Sequence, residues 1–503
     1  MSGNSGVLGP LLAGFAEVPT PWSRLPVSGL AADSRAVRPG DLFCAVRGGQ
    51  QHGLDFLEAV RAAGAAAVIW EPPFPGRLPM SDGQWPLLAV PDLRRNLGRI
   101  AGRFYGEPSR RLDVVGLTGT DGKTSCAHFI AQALSRSETG PCGLLGTLGG
   151  GVYGAVEPGL HTTPDPICVQ AWLAGLVAAG CRHAVMEVSS HALDQGRVNG
   201  VTFAVAVLTQ LSRDHLDYHR TVAAYAAAKR RLFVDQAPAQ AVLNLDDAFG
   251  QTLAVDPAVR TRIIGYGLGK RPSGLKRWVW GQNLRLTPDG LHLVVESSWG
   301  GGELHAGLLG RFNAHNLLAA LATLLALELP FDQALARLAQ TAPVAGRMEQ
   351  IGGKLGQPLA VIDYAHTPHA LEQALTGLRE HHGVRLWCVF GCGGDRDSGK
   401  RPLMGEIAER LADRVIVTDD NPRSEDPAQI VRAILNGMER PAAATVIHDR
   451  RQAIGQALAE AQVGDAVLIA GKGHEADQIV GTQRLPFSDR DVARRFLFPE
   501  DFT

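Results

Sequence analysis

The chain carries no CxxC pair, no surplus of either charge and no long apolar run. Its seven cysteines, at positions 44, 126, 142, 168, 181, 388 and 392, are odd in number and scattered. That spacing excludes a disulfide framework and a clustered zinc site, leaving buried or free thiols in a reducing cytoplasm. Forty-nine Lys and Arg against 50 Asp and Glu give a formal net charge of −1. The basic excess of a nucleic-acid or membrane-surface binder is missing. No apolar stretch approaches the ~20 residues that span a bilayer. Val7 to Ala16 is apolar but broken by Gly and Pro, with no basic region before it, and makes a poor signal peptide. Internal repeats and low-complexity tracts are missing too. A cytoplasmic protein with neither nucleic acid nor a membrane span is the expectation.

What remains is a chain of 503 residues with 45% apolar and 20% charged residues, ordinary values for a globular protein. Its length suggests about three domains. Short aliphatic runs such as Ala65–Trp70, Ala184–Met186, Ala204–Leu208, Leu386–Phe390, Val415–Val417 and Ala466–Ala470 alternate with helical patterns. Buried parallel strands joined by crossover helices follow, hence an α/β fold. The polar stretch Tyr105–Arg111 and the Pro-containing stretch Thr341–Val344 mark boundaries, giving units 1–110, 111–343 and 344–503. A more β-like patch, Trp278 to Val295, contains the turn signal Asp289-Gly290.

After the apolar run Leu112–Leu117 comes Thr118-Gly119-Thr120-Asp121-Gly122-Lys123-Thr124. Strand, glycine turn and helix start aim backbone N–H groups at one spot, which suits a polyphosphate. Lys123 supplies a point charge for terminal phosphates, and the Thr124 hydroxyl a ligand for Mg²⁺. The loop is a variant, because the generic pattern wants glycine where Leu117 stands. The alternative is an ordinary glycine turn between a strand and a helix.

Glu187 ends the strand at 184–186, where α/β sheets place ligands, and could hold Mg²⁺ or merely favour a helix dipole. Asp214-His215-Leu216-Asp217-Tyr218-His219 packs two acids and two histidines into a short stretch. His215 is a candidate second ligand, or a hydrogen-bonded core histidine. Lys229, in the helix former Tyr225–Lys229, reads on its own as a surface lysine.

Together with Glu187–His191, Gly310–Asn316, Gly346–Glu349 and Asp363–Pro368, these stretches resemble the Mur ligases in order and spacing, from Asp33-Ser34-Arg35 to Gly471–Glu475. Those are ATP-dependent amide ligases that build the peptide stem of peptidoglycan. Gly391–Asp397 and Asp420-Asn421-Pro422-Arg423 resemble the member that adds the third amino acid. Asp121 departs from the family, which usually has Asn there. Its carboxylate is expected to face away from the phosphates or to bind through the metal.

The resemblance implies three domains, each on a mostly parallel sheet: an N-terminal UDP-binding, a central P-loop-type ATPase and a C-terminal Rossmann-like domain. It implies transfer of meso-2,6-diaminopimelate to UDP-MurNAc-L-Ala-D-Glu through an acyl phosphate, by a monomer. For ATP it implies Gly119, Thr120, Asp121, Gly122, Lys123, Thr124, Ser125, Asn316, Arg347 and Asp363. Thr124, Glu187, His215 and Lys229, carbamylated by CO₂, match magnesium ligands. The UDP-sugar dipeptide falls to Ser34, Gln50, Thr162, Thr163, Ser189, Gln195 and Arg197. Arg396, Asp420, Asn421, Pro422, Arg423, Gly471 and Glu475 match the diaminopimelate pocket, Arg423 gripping the remote carboxylate and repelling a lysine ammonium. Competing readings are the same ligase with L-lysine as acceptor, folylpolyglutamate synthetase, which lacks the Ser34 domain, and a non-catalytic nucleotide-binding switch.

Overall fold

A computed structural model describes residues 6–49, 51–76, 85–136, 140–353, 356–382 and 385–502. Among the described residues three sheets of four or more strands follow one another along the chain, besides two two-stranded ones. The first joins Gly29–Ala31, Asp41–Ala45, Ala67–Trp70 and Leu87–Ala89, all parallel and in sequence order. The helix Leu93–Phe104 buries Leu93, Leu97, Ile100 and Ala101 in the core beside it.

The middle sheet has eleven strands. Its parallel part runs Cys142–Gly146, His183–Glu187, Asp113–Thr118, Val205–Leu208, Gln240–Asn244 and Arg262–Gly267. These strands are buried on both faces, which is why they read as continuous aliphatic runs. The strand feeding the phosphate loop lies between two that come later in the chain. Strand order therefore reverses at its carboxyl end, the place where open α/β sheets bind ligands. The β-like patch forms the hairpin Trp278–Thr287 and Gly290–Ser297, and Gly301–Ala306 adds a further antiparallel strand.

Two glycines in the phosphate loop are required by space. At Gly119 (φ +153°) a Cβ would lie 1.8 Å from Thr209 Oγ1, and at Gly122 (φ +83°) 2.6 Å from Asn316 Oδ1. The helix Lys123–Leu134 then packs against the Ala- and Leu-rich helix Arg311–Ala326, buried along nearly its whole length.

The last sheet runs Glu349–Gly352, Leu359–Asp363, Ala466–Ala470, Leu386–Phe390, Arg414–Val417 and Thr445–Val446, parallel except at its first strand. Helices cover both faces, giving two separate cores. Six cysteines are buried, Cys168 is exposed, and all seven are free. Among the described residues no helix is long and apolar enough to cross a membrane.

Candidate active site

At the carboxyl end of Asp113–Thr118 the loop turns its carbonyls towards two lysines. Lys123 Nζ donates to Gly119 O and Thr120 O, both at 2.9 Å. Lys229 Nζ donates to the same Gly119 O at 2.6 Å and lies 4.4 Å from the Tyr225 ring centroid. Lys229 is not on the surface: it is 1% exposed, and burial, helped by the charge of Lys123, pushes its ammonium well below the ordinary lysine value. The helix Val222–Val234, capped by Thr221, delivers it inwards.

Glu187 ends its strand fully enclosed. Its Oε1 accepts from Thr124 Oγ1 at 3.0 Å and from Thr147 N at 2.9 Å, and Oε2 from Thr147 Oγ1 at 3.3 Å. Nothing in the sequence marks Thr147, an isolated threonine in a loop. His215, at φ +52°, sets Nε2 3.4 Å from Asp214 Oδ2, and burial pulls its imidazole down to about 4, so the ring is neutral at physiological pH. Thr124, Glu187, His215 and Lys229 line one cavity of about 190 Å³.

Two larger cavities share lining residues with this one. One of about 530 Å³ is lined by Asp121, Ser125, Asn316, Arg347 and Asp363. Asn316 Nδ2 donates to Asn313 Oδ1 at 2.9 Å, fixing its amide in the cavity wall. Arg347 crosses from the C-terminal domain: its guanidinium lies 4.6 Å from the Tyr364 ring centroid and donates to Thr124 Oγ1 at 3.3 Å. Burial lifts the Asp363 carboxyl to about 6, and it accepts from Met348 N at 2.7 Å.

The other cavity, of about 600 Å³, is lined by Arg396, Asp420, Asn421, Arg423, Gly471 and Glu475. Arg423, at φ +53°, is stitched through its backbone to the hairpin Asp477–Val480/Gln483–Pro486, and Nη1 donates to Gly394 O at 2.8 Å. Asn421 accepts from the wholly buried Lys472 at 3.1 Å and donates to Glu475 Oε2 at 2.9 Å. Lys472 also donates to Glu475 at 2.9 Å. Gly471 leaves no room for a Cβ, which would sit 2.5 Å from Asp420 Oδ2. Pro422, buried, joins Asn421 to Arg423. Tyr364 and His366 line all three cavities, a convergence that the sequence order does not disclose.

A chain of hydrogen bonds surrounds the entrance from the side of Glu187. Thr162 Oγ1 lies 3.1 Å from Thr147 Oγ1. Thr163 Oγ1 donates to Glu187 O at 2.9 Å and accepts from Ser189 N at 3.1 Å. Arg197 donates to Thr163 O at 2.7 Å and forks onto Gln195 Oε1 at 2.9 and 2.7 Å. Ser34, on the short helix Ser34–Ala36, lies outside the three cavities, and Gln50 lies outside the described residues.

Among the described residues no group of three or more His, Cys, Asp and Glu is arranged to hold a metal unaided. A hydroxyl beside a buried carboxylate, with a neutral imidazole in the same cavity, nonetheless suits a hard cation that takes most of its ligands from phosphates and water.

A glycine turn with Lys123 at the switch point of one parallel sheet, and Arg347 reaching the same cavity from a second mostly parallel sheet, is the arrangement of an enzyme that handles a phosphate-bearing ligand. Three family models match: the Mur ligase family catalytic domain over residues 26–105, the Mur ligase middle domain over 117–324, and the Mur ligase glutamate ligase domain over 346–473. UDP-N-acetylmuramoyl-L-alanyl-D-glutamate–2,6-diaminopimelate ligase of Alkalilimnicola ehrlichii is 50% identical over 496 residues, 96% of this chain and 98% of that one. The Pseudomonas aeruginosa ligase of the same name is 51% identical over 468 residues, 93% and 94% of the two chains. A solved structure with that name superposes with a TM-score of 0.70 at 37% identity, covering 97% of this chain and 98% of its own. The chain belongs to the Mur ligase family of ATP-dependent amide-forming ligases.

Proposed function

We propose that the chain joins meso-2,6-diaminopimelate to UDP-MurNAc-L-Ala-D-Glu at the expense of ATP, in cytoplasmic peptidoglycan precursor synthesis. The observation that carries the reading is the meeting of three cavities at Tyr364 and His366, with Lys123, Glu187 and Lys229 in the smallest. Units 1–110, 111–343 and 344–503 take the UDP-sugar, the nucleotide and the acceptor in turn, within one monomer.

A carboxylate is a poor acylating agent, so ATP supplies the leaving group. The D-glutamyl side-chain carboxylate attacks the γ-phosphorus, ADP departs, and an acyl phosphate forms. The amine of the acceptor adds to that carbonyl; the tetrahedral intermediate expels phosphate and leaves the amide. The protein's work is positioning and charge neutralisation. Lys123 exchanges its two loop carbonyls for phosphate oxygens, while Gly119 to Ser125 offer backbone N–H groups. Asn316, Arg347 and Asp363 hold the nucleotide from the cavity wall.

Magnesium, held by Thr124, Glu187, His215 and Lys229 as a carbamate, would neutralise phosphate charge there. Lys229 suits carbamylation because its buried amine is easily freed of its proton, and only the free amine adds CO₂. Thr162, Thr163, Ser189, Gln195 and Arg197, with Ser34 and Gln50, bind the UDP-linked dipeptide. Arg423 and Arg396 take the remote carboxylate of diaminopimelate, and Asp420, Asn421 and Glu475 its amine end.

The test is product formation: the purified chain is incubated with ATP, the UDP-linked dipeptide and either diaminopimelate or lysine. The reading expects a tripeptide product and matching ADP with diaminopimelate. Equal yields with lysine would support the lysine ligase, and ADP release indifferent to both acceptors a nucleotide switch.

A further inference from the structure

Asp121 brings a carboxylate into a loop that handles anions, and the structure answers it from another domain. Oδ2 of Asp121 accepts from Gln210 Nε2 at 2.7 Å and lies 3.3 Å from His369 Nδ1. Its backbone oxygen is fixed by Thr209 Oγ1 at 2.6 Å. His369 stands in the first turn of the helix Pro368–His382, which packs in the last sheet's core, 248 positions further along the chain. Asp121 lines both the nucleotide cavity and the small cavity beside Lys123.

We propose that His369 is a positioning residue for the nucleotide: it takes up the charge of Asp121, keeps that carboxylate off the triphosphate, and so ties nucleotide affinity to docking of the C-terminal domain. The inference rests on the ligase reading in one respect, that the ligand of the loop is a nucleoside triphosphate.

Three physical points support it. The helix dipole opposes protonation of an imidazole in the first turn, and the Asp121 carboxylate 3.3 Å away offsets that opposition. The hydrogen bond and charge of Asp121 raise His369 above the ordinary imidazole value despite its partial burial, with Glu372 adding to the effect. Burial opposes ionisation of Asp121, yet the bond and charge of His369, followed by the charges of Lys123 and His366, hold it low. Asp363, a further acid near Asp121, is itself lifted by burial and by Asp121. Without His369 the ionised Asp121 would keep the amide of Gln210 but lose its imidazole partner, and would turn to Lys123 and compete with phosphate for it.

Calorimetric titration of the full chain with a non-hydrolysable ATP analogue tests this in both backgrounds at position 121. His369→Ala should weaken binding about 10-fold where Asp121 is present, the range of a charge-assisted contact. In the Asp121→Asn background the same substitution should weaken it by less than about 2-fold, since a neutral amide needs no counter-charge. His369→Lys, which keeps a cation, should recover part of the loss; a loss as large as that of alanine would overturn the charge argument. Equal losses in both backgrounds, or none in either, would overturn the proposal while leaving the ligase reading intact. A wild-type chain that binds no nucleotide would sink the ligase reading, and this proposal with it.

Discussion

Arg450 and Asp489 face each other with no exposed side-chain surface, Nε to Oδ1 and Nη2 to Oδ2 both at 2.7 Å. The same Nη2 donates to Ala470 O at 2.9 Å, one residue before Gly471. The pair therefore anchors the strand end that carries Gly471 into the cavity of about 600 Å³. Asp489→Ala leaves a guanidinium buried without its partner and should cost about 3–5 kcal/mol, read from the denaturant midpoint. Acceptor KM should rise as well, because the strand end bearing Gly471 loses an anchor. A loss under about 1 kcal/mol would show the pair to be replaceable by water.

Arg423 lines the cavity of about 600 Å³ on a loop tied through its backbone to the hairpin Asp477–Val480/Gln483–Pro486. Arg423→Ala should weaken diaminopimelate by about 1.5–3 kcal/mol, the scale of a hydrogen bond to a charged group. Steady-state KM values for the three substrates check it. The acceptor KM should rise while that for ATP stays near its starting value, and an unmoved acceptor KM counts against the pocket.

Lys229 is buried and reaches Gly119 O, so nothing at the surface can stand in for it. Lys229→Ala should abolish ligation, and added short carboxylic acids should restore part of it by supplying the missing anion. Single-turnover product yield with and without formate is the measurement. Undiminished activity in the alanine variant would remove Lys229 from the site.

The contact between His369 and Asp121 has a sign in pH. His369 is raised by its partner, so its stabilisation is complete below the ordinary imidazole value of about 6.5 and is lost as pH rises through the raised one. Asp121 is lowered, so its share is present above about pH 3.9 and is lost as pH falls through its depressed value. The melting gap between wild type and His369→Ala should be largest near pH 5 to 6 and shrink towards pH 9, roughly within 1 kcal/mol because both side chains are part-exposed. A gap that ignores pH would contradict the assignment.

The parallel strands were legible because burial on both faces writes itself as unbroken aliphatic runs, as in Leu386–Phe390 and Ala466–Ala470. The edge strand Gly301–Ala306 was not: its Gly-Gly start carries little β-signal, and pairing with Gly290–Ser297 overrides it. Lys229 on its own read as a surface residue, since an Ala-rich helix gives no local sign of which face turns inwards. Lys472 stood in a quoted motif without a role; its burial against Asn421 and Glu475 depends on strands far apart in sequence. The partners Arg450 and Asp489 left no sequence trace, and neither did the joint lining by Tyr364 and His366, because both arise from sheet order.

The central claim is phosphoryl transfer to the D-glutamyl side chain before the amide forms. The direct measurement uses UDP-linked dipeptide whose side-chain carboxylate carries heavy oxygen, with mass analysis of the phosphate released during ligation of diaminopimelate. The account predicts phosphate bearing one labelled oxygen for each amide formed. Unlabelled phosphate accompanying the same product would contradict it.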